Sequence, residues 1–304
     1  MEIRKLEVFC KVVELKSFTR TAEAILLSQP TVSEHIRSLE RELDQKLVDR
    51  LGREVEPTPV GRLLYKYARK ILRLQHEARE AVEQYSGNLI GRIMIGCGTI
   101  PGTYILPVLI GTFRKQHPSI KATLRITSSR FIAKKVLEGE LELGVVGAKW
   151  NESGLNWTKV FSDELTLAVH PDHPWAVKKS VSLEDVVNEP FILREPGSGT
   201  RKVIAQVLEK SGFREAGLQE VAEIGYTAAI KEAVKSGIGV SILSRRAVMD
   251  DVDCGRLVTV AVDGLRLQRP FYLIQRKNRE LPPAATVFLD YLLQAAEKEG
   301  RKKA

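Results

Sequence analysis

SFTRTAEAILLSQPTVSEHIRSLERELDQKLVDR, residues 17–50, contains two short helical patterns separated by a polar break. Apolar residues recur at helical spacing in the first pattern, and Thr19 is placed to cap that helix. In the break, Ser28 can cap the second helix and Pro30 falls in its first turn. Apolar residues three or four positions apart share one face of the second helix: Val32, Ile36, Leu39 and Leu43.

The opposite face of the second helix is polar. It carries Gln29, Thr31, Ser33, Glu34 and Arg37. A helix with an apolar back and hydrogen-bonding side chains at its N-terminal end is suited to the major groove of DNA. An ordinary helical hairpin with a solvated face has a similar composition, so composition alone favours that simpler interpretation.

The residues around this hairpin resemble the winged helix-turn-helix of LysR-type transcriptional regulators, and a match over about sixty residues is far more specific than a short motif. The matching residues are Phe9, Ser17, Phe18, Thr19, Ala22, Ala24, Leu27, Ser28, Gln29, Pro30, Val32, Ser33, Ile36, Leu39, Glu40, Leu43, Leu47, Arg50, Thr58 and Gly61. The chain departs from the family at Glu34, where a basic or amide residue is usual. An acid there would repel phosphate or accept from a cytosine amino group, so the operator sequence stays open.

A short charged hairpin is predicted from Lys46 to Pro59, carrying Arg50 and Arg53. Arginines on extended segments suit contacts with phosphates or with an adjacent minor groove, although a solvated turn is the alternative. Together with the family resemblance, this pattern gives the candidate DNA-contacting residues Thr19, Ser28, Gln29, Pro30, Thr31, Ser33, Arg37, Arg50 and Arg53.

A long helix is predicted from Thr58 to about Tyr85, ended by Ser86-Gly87-Asn88. Its apolar residues recur in steps of three and four at Val60, Leu64, Tyr67, Ile71, Leu74, Ala78, Ala81 and Tyr85. A sustained heptad pattern indicates a coiled coil rather than a helix packed on a globular core. The helix resembles the linker helix of the LysR family, which implies that two subunits pair through it.

The chain of 304 residues is long enough for two or three domains. Its first residues, MEIRKLEVF, are charged and unlike a signal peptide, and no apolar run reaches the length of a membrane span. The three cysteines are far apart and lack metal-ligand spacing. We therefore expect a cytoplasmic protein with no membrane contact, no metal and no cofactor.

The net charge of +9 suggests an anionic partner, but its distribution does not single out the N-terminal region. Residues 1–87 carry 16 Lys and Arg against 14 Asp and Glu, so most of the excess lies in the rest of the chain. The case for DNA binding therefore depends on the motif and little on the net charge.

From Gly91 onward, strands alternate with helices. Strand RIMIGC, a helix at 103–117, strand IKATLRIT, a helix at 129–138 and strand LELGVVG form a βαβαβ run. Such a run predicts a parallel sheet with a ligand crevice at the strand ends. A second, similar run follows, and the two are joined by crossings near Phe161–Asp163 and Leu267–Arg269.

These two lobes resemble the periplasmic-binding-protein-like effector domain of LysR regulators. The expected fold class is α/β, with an N-terminal winged helix-turn-helix, a long linker helix and a two-lobed effector domain. The expected domains are 1–58 for DNA binding, 59–88 for the linker helix and 89–304 for effector binding, with 89–162 and 269–304 in lobe 1 and 163–268 in lobe 2.

Three turns at predicted strand ends carry glycines and hydroxyls, at 98–102, 127–129 and 196–201. Each precedes a helix, so N–H groups and the positive end of the helix dipole could hold a small anion. For any single turn helix capping is the better explanation, but such turns in both lobes favour a site. The family resemblance implies effector contacts from Thr99, Ser128, Ser129 and Thr200. Further candidates at these and neighbouring turns are Ile100, Pro101, Gly147, Ser198, Gly199 and Tyr226.

Arg194 and Arg201 flank the third turn and are candidate sources of positive charge, with a surface position as the alternative for either. The sequence REPGSGTR resembles a LysR subgroup linked to sulfur-assimilation genes, which implies an oxyanion or a carboxylate as effector. Cys97 lies beside the first turn, where a buried strand position is the main interpretation and a redox role the alternative.

Two other functions must be weighed. A nucleotide-dependent enzyme is disfavoured because Pro101 takes the third glycine position of a dinucleotide fingerprint, and no nucleophile–base pair is evident. A solute-binding protein is disfavoured by the helix-turn-helix. We expect no catalytic residues. The expected partners are double-stranded DNA, a small anionic effector, a second copy in a homodimer or homotetramer, and RNA polymerase as a further candidate.

Overall fold

The computed structural model describes residues 1–51, 54–85, 91–265 and 267–303. The chain divides into two units, Met1–Asn88 and Leu89–Ala304. No helix among the described residues is long and apolar enough to cross a membrane.

The first unit consists of helices and one β-hairpin. Its elements are α1 (Ile3–Leu15), α2 (Phe18–Ala24), α3 (Gln29–Leu43), β1 (Val48–Leu51), β2 (Glu54–Pro57) and α4 (Pro59–Tyr85). The strands β1 and β2 pair antiparallel, with Val48 opposite Pro57. The predicted helix-turn-helix and hairpin are thus confirmed.

The apolar side of the helix-turn-helix forms a core with α1. Its fully buried members include Phe9, Val32, Leu39 and Leu47. Gly61 lies where α4 passes the backbone at Leu47, and a Cβ at this position would lie only 2.0 Å from the Leu47 carbonyl oxygen. Only glycine permits this approach.

Three details of the helix-turn-helix differ from the sequence prediction. Ser17, not Thr19, caps α2, because its extended backbone places its hydroxyl to accept from the Arg20 N–H at 3.3 Å. Leu43 is 36% exposed because it lies at the end of α3, beyond the core. Ser33, expected on the exposed face, is only 8% exposed, whereas Ser28 caps α3 as predicted.

The 27 residues of α4 span about 40 Å. Contrary to expectation, its first half packs on the core of its own unit, where Ala68 is fully buried and Leu64 and Ile71 are half-buried. The heptad residues Tyr67 and Leu74 are 53% and 65% exposed. The side chains of Ala81 and Tyr85, and the expected helix end at 86–88, lie outside the described residues.

The second unit begins with the predicted parallel arrangement. Its elements to the first crossing are β3 (Gly91–Cys97), a π-helical turn (Pro101–Ile105), α5 (Leu106–Gln116), β4 (Ile120–Ile126), α6 (Ser129–Leu137), β5 (Leu143–Val146) and β6 (Leu155–Val169). Strand β3 pairs parallel with β4 and β5. The helix expected at 103–117 starts earlier, in a π turn from Pro101 to Ile105, and its α-helical part covers Leu106–Gln116.

The described residues of the rest of the unit form five shorter strands, one long return strand and several helices. These elements are β7 (Ser180–Val181), α7 (Leu183–Asn188), β8 (Phe191–Arg194), α8 (Gly199–Lys210), a 3₁₀ turn (Glu215–Gly217), β9 (Glu220–Ile224), α9 (Thr227–Lys235), β10 (Ser241–Ser244), α10 (Arg245–Asp253), β11 (Val258–Val262), β12 (Gln268–Arg276) and α11 (Pro283–Lys303). Three of these elements, β7, α10 and β11, are not predicted by the sequence pattern.

The main sheet has the strand order β4-β3-β5-β12-β6-β11-β7, with β10 also paired to β6. Strand β6 is long enough to serve both halves of the unit, because its first part pairs with β12 and its last part with β10 and β11. Asp163 lies opposite Arg269 where β6 and β12 cross between the halves. Separate apolar cores lie in the two halves, one around Phe113, Phe271 and Phe288 and one around Phe191.

Candidate anion-binding cleft and nucleic-acid interface

The three turns predicted at strand ends meet around one cleft within the second unit. The cleft holds about 250 Å³ of empty space, part of it open to solvent. Its lining residues are Gly98, Thr99, Ile100, Pro101, Thr127, Ser128, Ser129, Gly147, Arg194, Ser198, Gly199, Thr200, Arg269 and Phe271. Every effector-contact residue expected from the sequence is among them except Tyr226, which is 62% exposed.

Parallel strand ends bring the first two turns together. Strands β3, β4 and β5 run in the same direction, so the segments after Cys97, Ile126 and Val146 emerge at one edge of the sheet. The third turn enters from β8 and starts α8. The cleft therefore receives the N-terminal ends of helices from both halves, where N–H groups and the helix dipole favour an anion.

Helix capping accounts for only some of the hydroxyls. Ser128 caps α6 by accepting from the Phe131 N–H at 3.4 Å. Ser129 accepts from the Gly147 N–H at 3.2 Å and is buried. Ser198 is 3% exposed and makes no side-chain cap bond to α8, so capping does not explain its position.

The two halves approach closely at a pair of glycines. A Cβ on Gly199 would lie 2.8 Å from the Gly147 carbonyl carbon and 3.0 Å from the Ser129 hydroxyl. A backbone hydrogen bond also joins the halves, from the Arg130 N–H to the Gly197 oxygen at 3.2 Å. The halves are thus in direct contact along one side of the cleft, and a side chain at Gly199 would force them apart.

Two arginines line the cleft, Arg194 and Arg269. Arg194 is 3% exposed and makes the larger number of side-chain hydrogen bonds. Its guanidinium donates to both carboxylate oxygens of Glu195, at 2.8 and 2.9 Å. It also donates to the Thr99 and Thr227 hydroxyls, at 3.1 and 2.8 Å, and to the Gly225 oxygen at 2.9 Å. Arg194 therefore joins the first turn to the opposite half.

Arg269 is the second cleft cation, and the sequence analysis did not identify it as a site residue. Its Nε and Nη2 donate to Asp163 Oδ2 at 2.9 and 2.7 Å, and its Nη1 donates to the Thr200 hydroxyl at 2.7 Å. Burial lowers the pKa of the Arg269 guanidinium, and the Asp163 charge opposes that shift. Ser244 completes the cluster by donating to Asp163 Oδ1 at 2.8 Å.

Arg201, the other predicted cation, does not line the cleft. It pairs with Glu215 at 2.8 Å and Glu223 at 2.6 Å, and it donates to the Arg194 oxygen. Tyr226 precedes α9 on the surface, while its neighbours Gly225 and Thr227 receive the bonds from Arg194. Neither Arg201 nor Tyr226 lines the cleft, and their predicted contributions to effector binding stay predictions.

In the first unit, the start of α3 presents polar side chains to solvent. Gln29, Pro30, Thr31 and Arg37 are exposed, as are Thr19 and Ser28 next to this surface. Gln29 Nε2 donates to the buried Ser33 hydroxyl at 3.0 Å, so Ser33 supports Gln29 from behind.

The structure describes only some of the other residues considered for DNA contact in the first unit. Glu34, the departure from the family pattern, pairs with Arg41 at 2.6 Å on the surface. Arg50 lies on β1, but its side chain is outside the described part, as is Arg53 altogether.

Two other kinds of chemistry were weighed near the cleft, a reactive Cys97 thiol and a metal site. Cys97 is fully buried, and burial raises the pKa of its thiol to about 12, which opposes the thiolate that redox reactions require. Across the described residues, no group of three or more His, Cys, Asp or Glu side chains is arranged to hold a metal ion.

Comparison with protein families matches most of the chain. The LysR substrate binding domain matches residues 86–297, and the bacterial regulatory helix-turn-helix protein of the lysR family matches residues 3–62. A probable RuBisCO transcriptional regulator of Cyanidium caldarium is 33% identical over 280 residues, covering 91% of this chain and 88% of that protein. The HTH-type transcriptional regulator CysL of Bacillus subtilis is 30% identical over 287 residues, covering 94% and 95%.

Solved structures share the fold. The regulatory domain of Synechocystis PCC6803 CcmR, in complex with 2-PG, is 27% identical with a TM-score of 0.62, covering 68% of this chain and 97% of that one. The LysR family transcriptional regulator CbnR has a TM-score of 0.74 at 20% identity, covering 97% and 99%. At that identity CbnR supports the fold alone.

Proposed function

The chain belongs to the LysR family of transcriptional regulators, and from this premise we propose that a small anion bound in the cleft controls how the protein acts on DNA. Membership of this family removes both the enzyme and the solute-binding protein as alternatives. The anion would act by changing the relative population of two arrangements of the halves of the second unit.

The convergence of two buried guanidiniums with hydroxyls from both halves supports this proposal most directly. Arg194 and Arg269 line the cleft at 3% exposure each, beside Thr99, Ser128 and Thr200. Arginine and hydroxyl donors at helix N-terminal ends are the groups that hold oxyanions and carboxylates. The complex of CcmR with 2-PG adds support for a small anion, while the sulfur-linked subgroup stays a prediction.

For DNA, we propose that Gln29, Thr31 and Arg37 contact base edges and phosphates from the exposed start of α3. Thr19, Ser28 and Pro30 would lie at the edge of that contact. Ser33 would act through Gln29, because its own hydroxyl is buried.

We further propose that two subunits pair through the exposed apolar stripe on α4. Leu63, Tyr67, Leu74 and Val82 are between 53% and 72% exposed, an arrangement that favours a partner helix. Pairing into a homotetramer follows from the family resemblance. A contact with RNA polymerase and a cytoplasmic location, the latter expected from the cysteines and the first residues, also stay predictions.

A thermal-shift experiment tests the cleft. Sulfate, sulfite, thiosulfate and short carboxylates are screened for an increase in the melting temperature of the full chain. The Thr200→Ala variant loses the hydroxyl that receives Arg269, and we expect it to lose the stabilisation as well. Thr112→Ala removes an exposed helix hydroxyl outside the cleft and serves as the matched control. Equal stabilisation of Thr200→Ala and wild type would contradict the proposal.

A further inference from the structure

We propose that Glu195 determines which anions the cleft accepts, by neutralising Arg194 and so reducing affinity most strongly for multiply charged ligands. The inference rests on the proposed effector function of the cleft. Glu195 is not among the lining residues, but it accepts two hydrogen bonds from Arg194, which is one of them, so it would act on a ligand through that guanidinium.

The hydrogen bonds of Arg194 are the first step. A guanidinium has five N–H groups. All five are used here: two on Glu195, and one each on Thr99, Thr227 and the Gly225 oxygen. An anion can therefore meet Arg194 only by displacing a partner. The Thr99 bond, at 3.1 Å, is the longest of the five and lies on the lining of the cleft.

Arg269 differs from Arg194 in how many donors it has left. Three of its N–H groups are used, two on Asp163 and one on Thr200. Among the described contacts, each terminal nitrogen of Arg269 retains one further N–H for a ligand. The cleft thus contains one cation that can receive an anion directly and one whose donors are already occupied.

The charges of these groups compensate one another. Arg194 with Glu195 and Arg269 with Asp163 form two neutral pairs, so an entering anion meets no uncompensated positive charge from the lining arginines. The Asp163 side chain is fully buried, and it fixes Arg269 at the crossing of β6 and β12. Glu195 is 25% exposed, whereas its partner Arg194 is buried at 3%. The melting temperature of each Glu195 variant is therefore measured first, because removing this carboxylate leaves the Arg194 charge without its counter-ion.

The repulsion from Glu195 grows with the charge of the ligand. When a guanidinium lies between a carboxylate and an anion, the two negative groups are roughly 8 Å apart. This distance is the width of the guanidinium plus one hydrogen bond on each side. At an effective dielectric constant near that of protein surfaces, and discounted for partial exposure, removal of the carboxylate should strengthen binding on the order of tenfold per ligand charge. A singly charged anion would gain about tenfold and a doubly charged anion about a hundredfold.

The experiment compares sulfate with acetate, as a doubly and a singly charged probe. Dissociation constants are measured by titration calorimetry on the full chain at constant ionic strength, because salt screens such effects. The variants are Glu195→Gln, which removes the charge, and Glu195→Asp, which retains it. Glu223→Gln is the matched control, since it removes the same charge from a carboxylate that pairs with Arg201 away from the cleft.

We expect Glu195→Gln to bind both probes more tightly, with a larger gain for sulfate, while Glu195→Asp and Glu223→Gln remain within about threefold of wild type. A merely structural role for Glu195 would weaken binding instead. An equal gain for both probes, no gain, or a loss overturns the inference while the effector cleft stands. Absence of saturable binding in wild type and Glu195→Gln alike overturns the proposed effector function and this inference with it.

Discussion

Replacing Asp163 by asparagine removes the carboxylate that compensates Arg269. Asp163 and Arg269 are both buried, at 3% exposure each, and they join β6 to β12 through two bonds of 2.9 and 2.7 Å. Removal of one partner of a buried ion pair costs about 3–5 kcal/mol, because the other charge is left without compensation. Asparagine keeps one oxygen as an acceptor, so we expect the lower end, about 3 kcal/mol.

This loss is large enough to measure in the full chain. For a unit of this size a destabilisation of 1 kcal/mol lowers the melting temperature by about 2–4 °C, so Asp163→Asn should lower it by roughly 6–12 °C. Urea denaturation followed by circular dichroism gives the free energy of unfolding directly. Glu223→Gln is the control, because Glu223 is 42% exposed and its partner Arg201 keeps Glu215, so the change should stay within about 1 kcal/mol.

A double variant separates the uncompensated charge from the lost hydrogen bonds. Asp163→Asn combined with Arg269→Met removes both charges while retaining side-chain volume. We expect the double variant to be more stable than Asp163→Asn alone, because no buried charge remains. Two destabilisations that simply add, or a single variant within 1 kcal/mol of wild type, would refute the assignment of this pair as a buried, mutually dependent ion pair.

Three further predictions concern the DNA-facing helix, the exposed stripe and the thiols. Gln29→Ala should weaken binding to operator DNA by about 1–3 kcal/mol in a gel-shift assay at fixed salt, and leave nonspecific binding unchanged. Tyr67→Lys should shift the oligomer toward smaller species in sedimentation, because it places a charge on the exposed stripe. At pH 8 a thiol reagent should modify only the exposed Cys254 in the native protein. Cys10 and Cys97 should react only after unfolding, because burial raises the pKa of each thiol to about 12. Reaction of all three thiols in the native protein would contradict this.

Elements with a local signal were predicted well from the sequence. The spacing of Val32, Ile36 and Leu39 correctly indicated the buried face of α3, and Ser28 caps that helix as expected. Alternation of strands and helices identified the parallel arrangement of β3, β4 and β5. These signals lie within a few residues of one another, so the sequence records them directly.

The turns of the cleft were also predictable, because a glycine or hydroxyl before a helix is a local pattern. Thr99 and Thr200 line the same cleft although they lie about a hundred positions apart. Thr99 follows β3 of the main sheet, and the turn with Thr200 enters from β8 of a separate sheet, so only the folded structure brings the two together. Tyr226 matched the same kind of pattern, but its side chain points to solvent. A local pattern states that a turn precedes a helix and does not state which way each side chain of that turn faces.

The residues that determine charge in the cleft required the tertiary structure. The sequence determined that the chain reads DNA through a helix-turn-helix and that a two-lobed α/β unit follows it in the chain. It could not distinguish Arg269, buried on Asp163, from Arg201, which pairs with surface acids, because both are arginines beside polar residues. Burial and ion pairing join residues distant in the chain, so only the folded arrangement of β6 and β12 decides which arginine faces the cleft.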